Sequence, residues 1–299
     1  MKRSPLSRGA FLTLLLIACM MGANHVAARL AFNHGVDVAT AVTMRSGVTA
    51  VAVAALLLWQ GVSLRIASRH RRPLLLIGAL ISVQSLSLYS SVARLPVALA
   101  LLAFNTYPLW TAFWDWLLYR HMPERAVLVA MPVLLFGLAL ALDVLGAASG
   151  LGAAGQWLNI GAGVAFALTA AGTFGLALVI TQHQAADVDG RVRTVTTLGM
   201  VGVLALTAAL AQGGLHLPQA APGWWGLVLL TLLYGTAFTI MFTVLPKLGV
   251  VGGSPIMNVE PVFALVLAWL VLDQAIAPMQ IAGALLVVGT VMALGLRKN

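Results

Sequence analysis

Residues 94–117 read RLPVALALLAFNTYPLWTAFWDWL, and residues 247–270 read KLGVVGGSPIMNVEPVFALVLAWL. Laid over each other with a shift of 153 residues, the two stretches share an asparagine, a proline and a Trp-Leu step within an apolar frame. The same shift brings Gly22 onto Gly175 without a gap, so the match extends beyond one helix and indicates a duplicated chain. The identical pairs are Leu95/Leu248, Val97/Val250, Asn105/Asn258, Pro108/Pro261, Trp116/Trp269 and Leu117/Leu270.

The chain that holds these stretches is too apolar for a water-soluble fold. Hydrophobic residues make up 61% and charged residues 8% of its 299 residues, and the mean hydropathy is +0.99. A bilayer core about 30 Å thick needs roughly 20 apolar residues per helix, and runs of that length recur along almost the whole sequence. We therefore expect an all-α polytopic membrane protein whose membrane domain is essentially the entire chain.

Ten transmembrane helices are predicted from the breaks that charged, proline and glycine residues make in the apolar runs. The first five-helix repeat is assigned to residues 1–150 and the second to residues 151–299. Because five is an odd number, the second repeat enters the membrane from the other side, so the two repeats are inverted. The predicted spans cover residues 10–30, 39–59, 73–92, 96–119, 125–145, 157–180, 194–212, 223–245, 252–272 and 278–296.

The basic residues predict the orientation and the partners. With a cytoplasmic N-terminus, 14 of the 17 Lys and Arg residues fall in inner loops, and only Arg29, Arg45 and Arg94 lie elsewhere. This bias predicts a multi-pass protein of the cell inner (plasma) membrane with both termini cytoplasmic. Basic residues that punctuate apolar runs do not form a nucleic-acid surface, so the expected partners are the lipid bilayer and a small-molecule substrate. The sequence leaves open whether two copies of the chain form a homodimer.

The sequence carries no motif of a membrane enzyme. HExxH, GxSxG and GxxxxGK[ST] are all missing, so neither catalysis nor ATP hydrolysis nor a cofactor is expected. Cys19 is the only cysteine, which excludes a thiolate metal cluster. His70, His121 and His183 fall in predicted inner loops, each isolated from carboxylate clusters of metal-ligand type, so no metal site is predicted. An ion channel would need a selectivity filter or a ring of charged side chains, and no predicted span has the sequence of either.

The paired motifs resemble those of the drug/metabolite transporter superfamily, and more narrowly those of its EamA branch. The shared features are a basic residue before spans 4 and 9, the positions of Asn105 and Asn258, and the Glu260-Pro261-Val262 step. The resemblance implies that spans 1 to 4 and 6 to 9 surround a central site, with spans 5 and 10 outside. It also implies a secondary transporter that exports small metabolites such as amino acids by alternating access.

Two other functions remain as alternatives to that reading: a multidrug or other-metabolite efflux carrier of the same fold, and a non-transporting scaffold or receptor. The chain also departs from the family at one pair of positions. Family members often carry glutamate at the inner end of span 4 and the outer end of span 9, where this chain has Arg120 and Asp273.

Polar residues inside the predicted spans are candidates for a substrate site, because an ionisable group in the bilayer core costs at least about 2.5 kcal/mol. Glu260, eight residues into span 9, is predicted to bind substrate or couple protons, or else to form a structural pair with a cation such as Arg45. His25 is the second coupling candidate, or else a neutral histidine bonded to a neighbouring helix. The substrate-binding candidates are Asn24, His25, Gln84, Tyr89, Asn105, Tyr107, Trp110, Tyr234, Asn258 and Glu260.

Several of these candidates have structural alternatives. Asn105 and Asn258 are expected to flank one central cavity, or else to bond backbone groups freed by the nearby prolines. Tyr107 and Trp110 are interpreted either as aromatic walls of that cavity or as packing and lipid contacts. Asp115, near the inner end of span 4, is expected to reach the interface or to pair with a loop arginine.

Overall fold

The computed structural model describes residues 8–122, 125–243 and 259–297 of the chain. Every regular element among those residues is a helix. In chain order the helices are α1 (Arg8–Phe32), α2 (Val38–Trp59), α3 (Ser68–Val92), α4 (Val97–Phe104), α5 (Tyr107–Tyr119), α6 (Arg125–Ala141), α7 (Gly152–Gln184), α8 (Gly190–Ala211), α9 (Ala221–Thr243), α10 (Glu260–Leu272) and α11 (Pro278–Arg297).

Ten membrane spans account for these helices. Seven apolar segments within the described residues are long enough to cross a membrane, with α4 and α5 counted as one. The shorter apolar helices α6, α10 and α11 supply the other three, which agrees with the predicted all-α, ten-helix fold. Helix α7 is longer than predicted: its 33 residues span about 50 Å, so it projects beyond a hydrocarbon core of about 30 Å.

The loops define two faces of the bundle. We call the face at which α1 begins the N-face and the other one the far face. At the far face, the Gln219 N–H donates to the His34 carbonyl over 3.0 Å and so ties the α8–α9 loop to the α1–α2 loop. At the N-face, Arg69 of α3 pairs with Asp187 of the α7–α8 loop. Consecutive spans therefore run in opposite directions, as in a polytopic membrane protein.

Span 4 is broken in the middle. Asn105 and Thr106 separate α4 from α5, and Pro108 lies in the first turn of α5, where its missing N–H leaves no further donor unpaired. The side chains at the break donate back into α4: Asn105 Nδ2 to the Leu101 carbonyl over 3.0 Å, and Thr106 Oγ1 to the Ala103 carbonyl over 2.8 Å. The break therefore costs little, because its polar groups are bonded locally.

Helix packing repeats the sequence duplication. The most extensive contacts join the two repeats: α1 with α9, α3 with α7, α2 with α8, and α6 with α11. Exchanging each span for its counterpart in the other repeat turns the α1–α9 contact into the α7–α3 contact and maps the α2–α8 and α6–α11 contacts onto themselves. This is the pattern of a pseudo-two-fold axis that relates inverted repeats.

Two glycines at equivalent positions make equivalent close contacts between helices. Gly22 of α1 lies so close to α10 that a Cβ atom there would be 3.0 Å from the backbone nitrogen of Ala264. Gly175 of α7 lies equally close to α5, where a Cβ atom would be 2.8 Å from the backbone nitrogen of Thr111. Ala264 and Thr111 are also 153 residues apart, so the same close helix crossing occurs twice.

The ends of α5 and α10 also match. Arg120 follows α5 with φ of 60°, and Asp273 follows α10 with φ of 53°, so both residues adopt the left-handed conformation. That conformation costs a residue with a side chain about 1–2 kcal/mol, and glycine occupies neither position. The two positions at which the chain departs from its family are therefore equivalent helix ends on opposite faces.

Candidate functional site

Buried polar side chains gather between α1, α2, α3, α9 and α10, and we call them the central cluster. All are less than a tenth exposed except Glu260, whose side chain is 22% exposed. Polar groups buried this deeply must bond to one another, to water or to a ligand, because leaving them unpaired is costly. The central cluster consists of Asn24, His25, Arg45, Gln84, Ser85, Tyr89, Tyr234 and Glu260.

An ionisable pair joins α1 to α10 in this cluster. His25 Nε2 lies 3.2 Å from Glu260 Oε1. Gly22, one turn before His25, lets the two helix backbones approach closely enough for these side chains to meet. Glu260 is also the first residue of α10, where the positive end of the helix dipole favours a carboxylate. The structure thus pairs Glu260 with His25 rather than with Arg45.

Arg45 lies in the same cluster with a different set of partners. Its guanidinium carbon is 4.3 Å from the centre of the Tyr89 ring and 4.1 Å from that of Tyr234, and its Nη2 donates to Ser85 Oγ over 3.0 Å. No carboxylate in the described part of the chain pairs with it, and its Nε atom is buried without a hydrogen-bond partner. A desolvated cation held by rings is stabilised by about 2 kcal/mol and stays available to an anion.

Tyr89 connects the cation to the His25–Glu260 pair. Asn24 Nδ2 lies 2.9 Å from the Tyr89 hydroxyl, and the His25 and Tyr89 rings are 5.4 Å apart between centroids. The Tyr89 hydroxyl group interacts electrostatically with both Arg45 and Glu260. The opposite charges of the central cluster therefore share one neutral neighbour.

Gln84 and Tyr234 are the other predicted residues that the structure brings into the cluster. Ser85 Oγ donates to Gln84 Oε1 over 3.2 Å, which links Gln84 to Arg45 through the serine. The predicted set leaves out Arg45 as a binding residue. The signal for it was present, because an arginine in the middle of an apolar span needs a partner or a function.

Tyr107 borders the central cluster from α5. Its phenol interacts electrostatically with Glu260, and its ring lies 5.1 Å from that of Phe174 and 5.7 Å from that of Phe104 between centroids. These three rings pack against one another where α4, α5 and α7 meet.

The remaining predicted residues lie away from the cluster or outside the described residues. Trp110 packs on α7, 3.6 Å from where a Cβ of Gly172 would be. Asn105 uses its amide to bond its own helix, as described above. Asn258 lies outside the described residues. Arg29, expected on the same helix face as His25, donates from Nη1 to the Val92 carbonyl over 2.7 Å at the end of α3.

A cavity of about 700 Å³ lies near the central cluster at the far face. It is bounded by the adjoining ends of α1, α2, α3 and α8, and Phe32, Ser90, Arg94 and Gln212 are among its lining residues. The ring of Phe32 meets that of Tyr89 edge-on, 6.1 Å between centroids. One aromatic contact therefore separates the floor of the cavity from the cluster.

The expectation that the inner-loop histidines lie away from carboxylate clusters of metal-ligand type is wrong for His121 and His183. At the N-face, His183 Nε2 lies 2.9 Å from Asp115 Oδ1, and His121 Nδ1 lies 3.3 Å from Asp115 Oδ2. His70 Nε2 lies 3.0 Å from Asp187 Oδ1. Asp115 therefore pairs with histidines rather than with a loop arginine. The sequence does not reveal these contacts because the packing of α5 and α3 on α7 joins His183 to Asp115 and His70 to Asp187 across more than 60 residues. The turn that ends α5 brings His121 back to Asp115.

Comparison with known proteins agrees with this architecture. The chain matches the model of the EamA-like transporter family twice, over residues 8–142 and 161–296. A solved structure titled only as the crystal structure of a protein is similar over 97% of this chain and 99% of its own, with a TM-score of 0.64. At 18% identity that likeness shows the fold alone. No curated protein matches the chain significantly.

The two family matches cover most of the chain, one in each repeat, and so confirm the resemblance carried by the motifs of spans 4 and 9. The chain therefore belongs to the EamA-like transporter family and is a multi-pass membrane transporter of the drug/metabolite type.

Proposed function

We propose that this transporter exports small zwitterionic metabolites, amino acids among them, across the cell inner membrane by alternating access. The observation that carries the proposal is the presence of two opposite charges in one buried cluster. Arg45 is held by two rings and has no carboxylate partner among the described residues, and Glu260 is paired with His25.

The two charges suit the two ends of an amino acid. The planar guanidinium of Arg45 fits a substrate carboxylate, and Glu260 fits an ammonium group. The side chains of Ser46 and Thr49, one and four residues after Arg45 on α2, have buried hydroxyls without hydrogen-bond partners among the described residues. Buried hydroxyls without a hydrogen-bond partner are rare in protein interiors, and ligand oxygens or water would supply the missing hydrogen bonds.

The aromatic rings of α4, α5 and α7 indicate which side chains the substrate carries. Tyr107, Phe104 and Phe174 pack together and offer apolar surface, and Tyr107 interacts electrostatically with Glu260. An amino acid whose ammonium group binds Glu260 would direct its side chain against these rings. We therefore expect hydrophobic and aromatic amino acids to bind better than acidic ones, which Glu260 would repel.

The His25–Glu260 pair also offers a way to couple transport to protons. A substrate ammonium group that binds Glu260 displaces His25, so substrate and proton compete for one carboxylate. In an exporter, protonation from outside would release the substrate, and deprotonation inside would prepare the site for the next one. Facilitated diffusion without protons is the alternative that the sequence leaves open.

Alternating access follows from the inverted repeats. Exchanging the conformations of two inverted repeats moves the opening from one face to the other. The cavity of the present conformation is at the far face, which corresponds to the outside if the arginine-rich N-face is cytoplasmic. The crossings at Gly22 and Gly175 and the break at Asn105 and Thr106 are where we expect the helices to pivot.

Counterflow in liposomes tests this function. The purified full chain is reconstituted, and exchange of a labelled amino-acid panel is measured with and without a pH gradient. We expect saturable exchange that responds to the gradient and is lost in Glu260→Gln. The control is Asp187→Asn, since Asp187 is also bonded to a histidine but lies at the N-face outside the cluster.

Three results would count against the proposal. Equal exchange by wild type and Glu260→Gln would remove Glu260 from the cycle. Exchange of lipophilic cations and of no amino acid would indicate multidrug efflux. No exchange of any solute, by protein that elutes as a single folded species, would favour a scaffold or receptor.

A further inference from the structure

Three side chains converge at the N-face, where α5 and α7 meet. Asp115 accepts from His183 Nε2 over 2.9 Å and lies 3.3 Å from His121 Nδ1. One donor atom from each of the three residues lies within 4.8 Å of the others. Ligand atoms around a tetrahedral ion, with bonds of about 2.0–2.2 Å, are roughly 3.4 Å apart. Small side-chain rotations would therefore place an ion among these atoms.

Neighbouring groups hold the histidines in position. The Tyr119 ring stacks on His183 with 3.7 Å between centroids and an interplanar angle of 13°. Gln184 Nε2 donates to the Tyr119 hydroxyl over 3.0 Å and so fixes that ring. The left-handed turn at Arg120 ends α5 and brings His121 back towards Asp115. Supporting contacts of this kind orient the ligands of metal sites in proteins.

The site is open to water on one side. His183 is 22%, Asp115 is 30% and His121 is 60% exposed, so an ion can enter from the solvent and keep a water molecule as its fourth ligand. Two imidazole nitrogens and one carboxylate oxygen form a donor set that suits zinc and neighbouring transition cations. Calcium and magnesium require more oxygen ligands than this site provides.

We propose that Asp115, His121 and His183 bind a divalent transition cation of the zinc type, which pins α5 to α7 at the N-face. The equivalent positions of the symmetry-related crossing of α1 with α10 are Ala268, Gln274 and Leu30, which offer neither imidazole nor carboxylate. The ion therefore stabilises only one of the two symmetry-related crossings. It favours the conformation in which the N-face ends of α5 and α7 are close together.

Cobalt binding tests this site directly. The full chain, purified without a polyhistidine tag in detergent, is titrated with Co²⁺ and then with Zn²⁺. We expect one Co²⁺ per chain, the visible absorption of a four-coordinate ion, and its loss when Zn²⁺ displaces the cobalt. Asp115→Asn and His183→Gln should each weaken binding at least about 10-fold. The matched control is His70→Gln, because His70 also bonds an aspartate but has no second histidine beside it.

Equal cobalt binding by the wild type and the Asp115→Asn variant would overturn the proposal, as would a wild type without the four-coordinate spectrum. Should His183→Gln fail to fold, the nearly isosteric Asp115→Asn and the wild-type spectrum still decide. Thermal unfolding gives a second readout: Zn²⁺ should raise the unfolding temperature of wild type and of His70→Gln, and not that of Asp115→Asn. Neither readout involves transport, so this site and the proposed function stand or fall separately.

Discussion

The crossing of α1 with α10 and the crossing of α7 with α5 have the same backbone and different chemistry. Each brings a glycine, Gly22 or Gly175, against the backbone of the opposing helix. In the first crossing the side chains that follow are His25 and Glu260; the equivalent residues of the second are Leu178 and Tyr107. The duplication thus keeps the glycines that set the distance between the helices and varies the side chains that follow them.

At the ends of these crossings the chemical difference is reversed, and the α5–α7 crossing has the polar side chains. The α5–α7 crossing carries the cluster of Asp115, His121 and His183, whereas its counterpart has only Ala268, Gln274 and Leu30. Each crossing therefore carries one polar site and lacks the counterpart of the other. An inverted repeat requires matching helix packing in both halves, but a single central site serves both conformations.

The substitution with the largest expected effect is His25→Leu. It gives the α1–α10 crossing the leucine that the α5–α7 crossing has at the equivalent position. It leaves Glu260 without its partner, so we expect transport to fall to background and the free energy of unfolding to drop by about 3 kcal/mol. Counterflow and unfolding in mixed micelles measure the two effects. Leu178→Met, the control in the other crossing, should change stability by less than about 1.5 kcal/mol. Unimpaired transport by His25→Leu would show that the polar pair is structural.

The second change tests whether the two backbones are equivalent. Gly22→Ala and Gly175→Ala each place a Cβ within about 3 Å of opposing backbone, so each should lower the free energy of unfolding by about 2 kcal/mol. Gly199→Ala in α8 is the control, because a Cβ there meets nothing within 4 Å. A cost confined to one of the two glycines would contradict the symmetric crossing.

Arg45→Lys sharpens the chemical side of the comparison. Lysine keeps the charge but loses the planar group that lies over Tyr89 and Tyr234. We expect the KM for amino-acid counterflow to rise about 10-fold, which corresponds to about 1.4 kcal/mol, with little change in stability. A KM unchanged by this substitution would remove the guanidinium from substrate binding.

The smallest effect concerns the helix caps of the two repeats. Asp37 caps α2, where its Oδ1 accepts from the Thr40 N–H over 2.6 Å, and Asp189 caps α8, where it accepts from the Arg191 N–H over 2.8 Å. Replacing either aspartate by alanine should cost about 1 kcal/mol, measured by thermal unfolding. A much larger loss at one of the two would show that the caps are not equivalent.

The Asp189 cap should also depend on pH. The hydrogen bond from the Arg191 side chain holds the pKa of the Asp189 carboxyl below its ordinary value. A lowered pKa stabilises the fold above the ordinary carboxyl value, about 3.9, and this contribution is lost as the pH falls through the lower folded-state value. Since Asp189 is 40% exposed, the advantage of wild type over Asp189→Asn should stay below about 1 kcal/mol at pH 7. It should decline as the pH falls below about 4 and vanish only below the lower folded-state pKa.

The sequence predicts the fold well because the signals for it are local or repeated. Apolar runs give the ten spans, and the shift that aligns Gly22 with Gly175 also aligns their contacts in the structure. The break in span 4 is not predicted as such, although Asn105 and Pro108 mark its place. Whether a helix kinks or separates into two depends on how neighbouring helices fill the gap, which the sequence does not state.

The site is only partly predictable, because contacts between spans depend on helix rotation and crossing. The free-energy cost of placing an ionisable side chain in the membrane marks His25 and Glu260 as candidates, but it does not show that the two side chains meet. Arg45 carries the same signal but is read first as a partner for Glu260. The histidines of the N-face look isolated in the sequence, since the crossing of α5 with α7 brings His183 to Asp115 and the turn that ends α5 brings His121 back to it.

The packing between repeats also determines how the molecule folds. Among the described residues, the four most extensive helix contacts each join one repeat to the other, so most helix packing lies between the repeats rather than within them. The repeats are units of sequence and of symmetry, yet they are not autonomous folding units. Unfolding should therefore be cooperative across the whole chain, and the amide hydrogens of α3 and α7 should exchange with solvent in the same opening event.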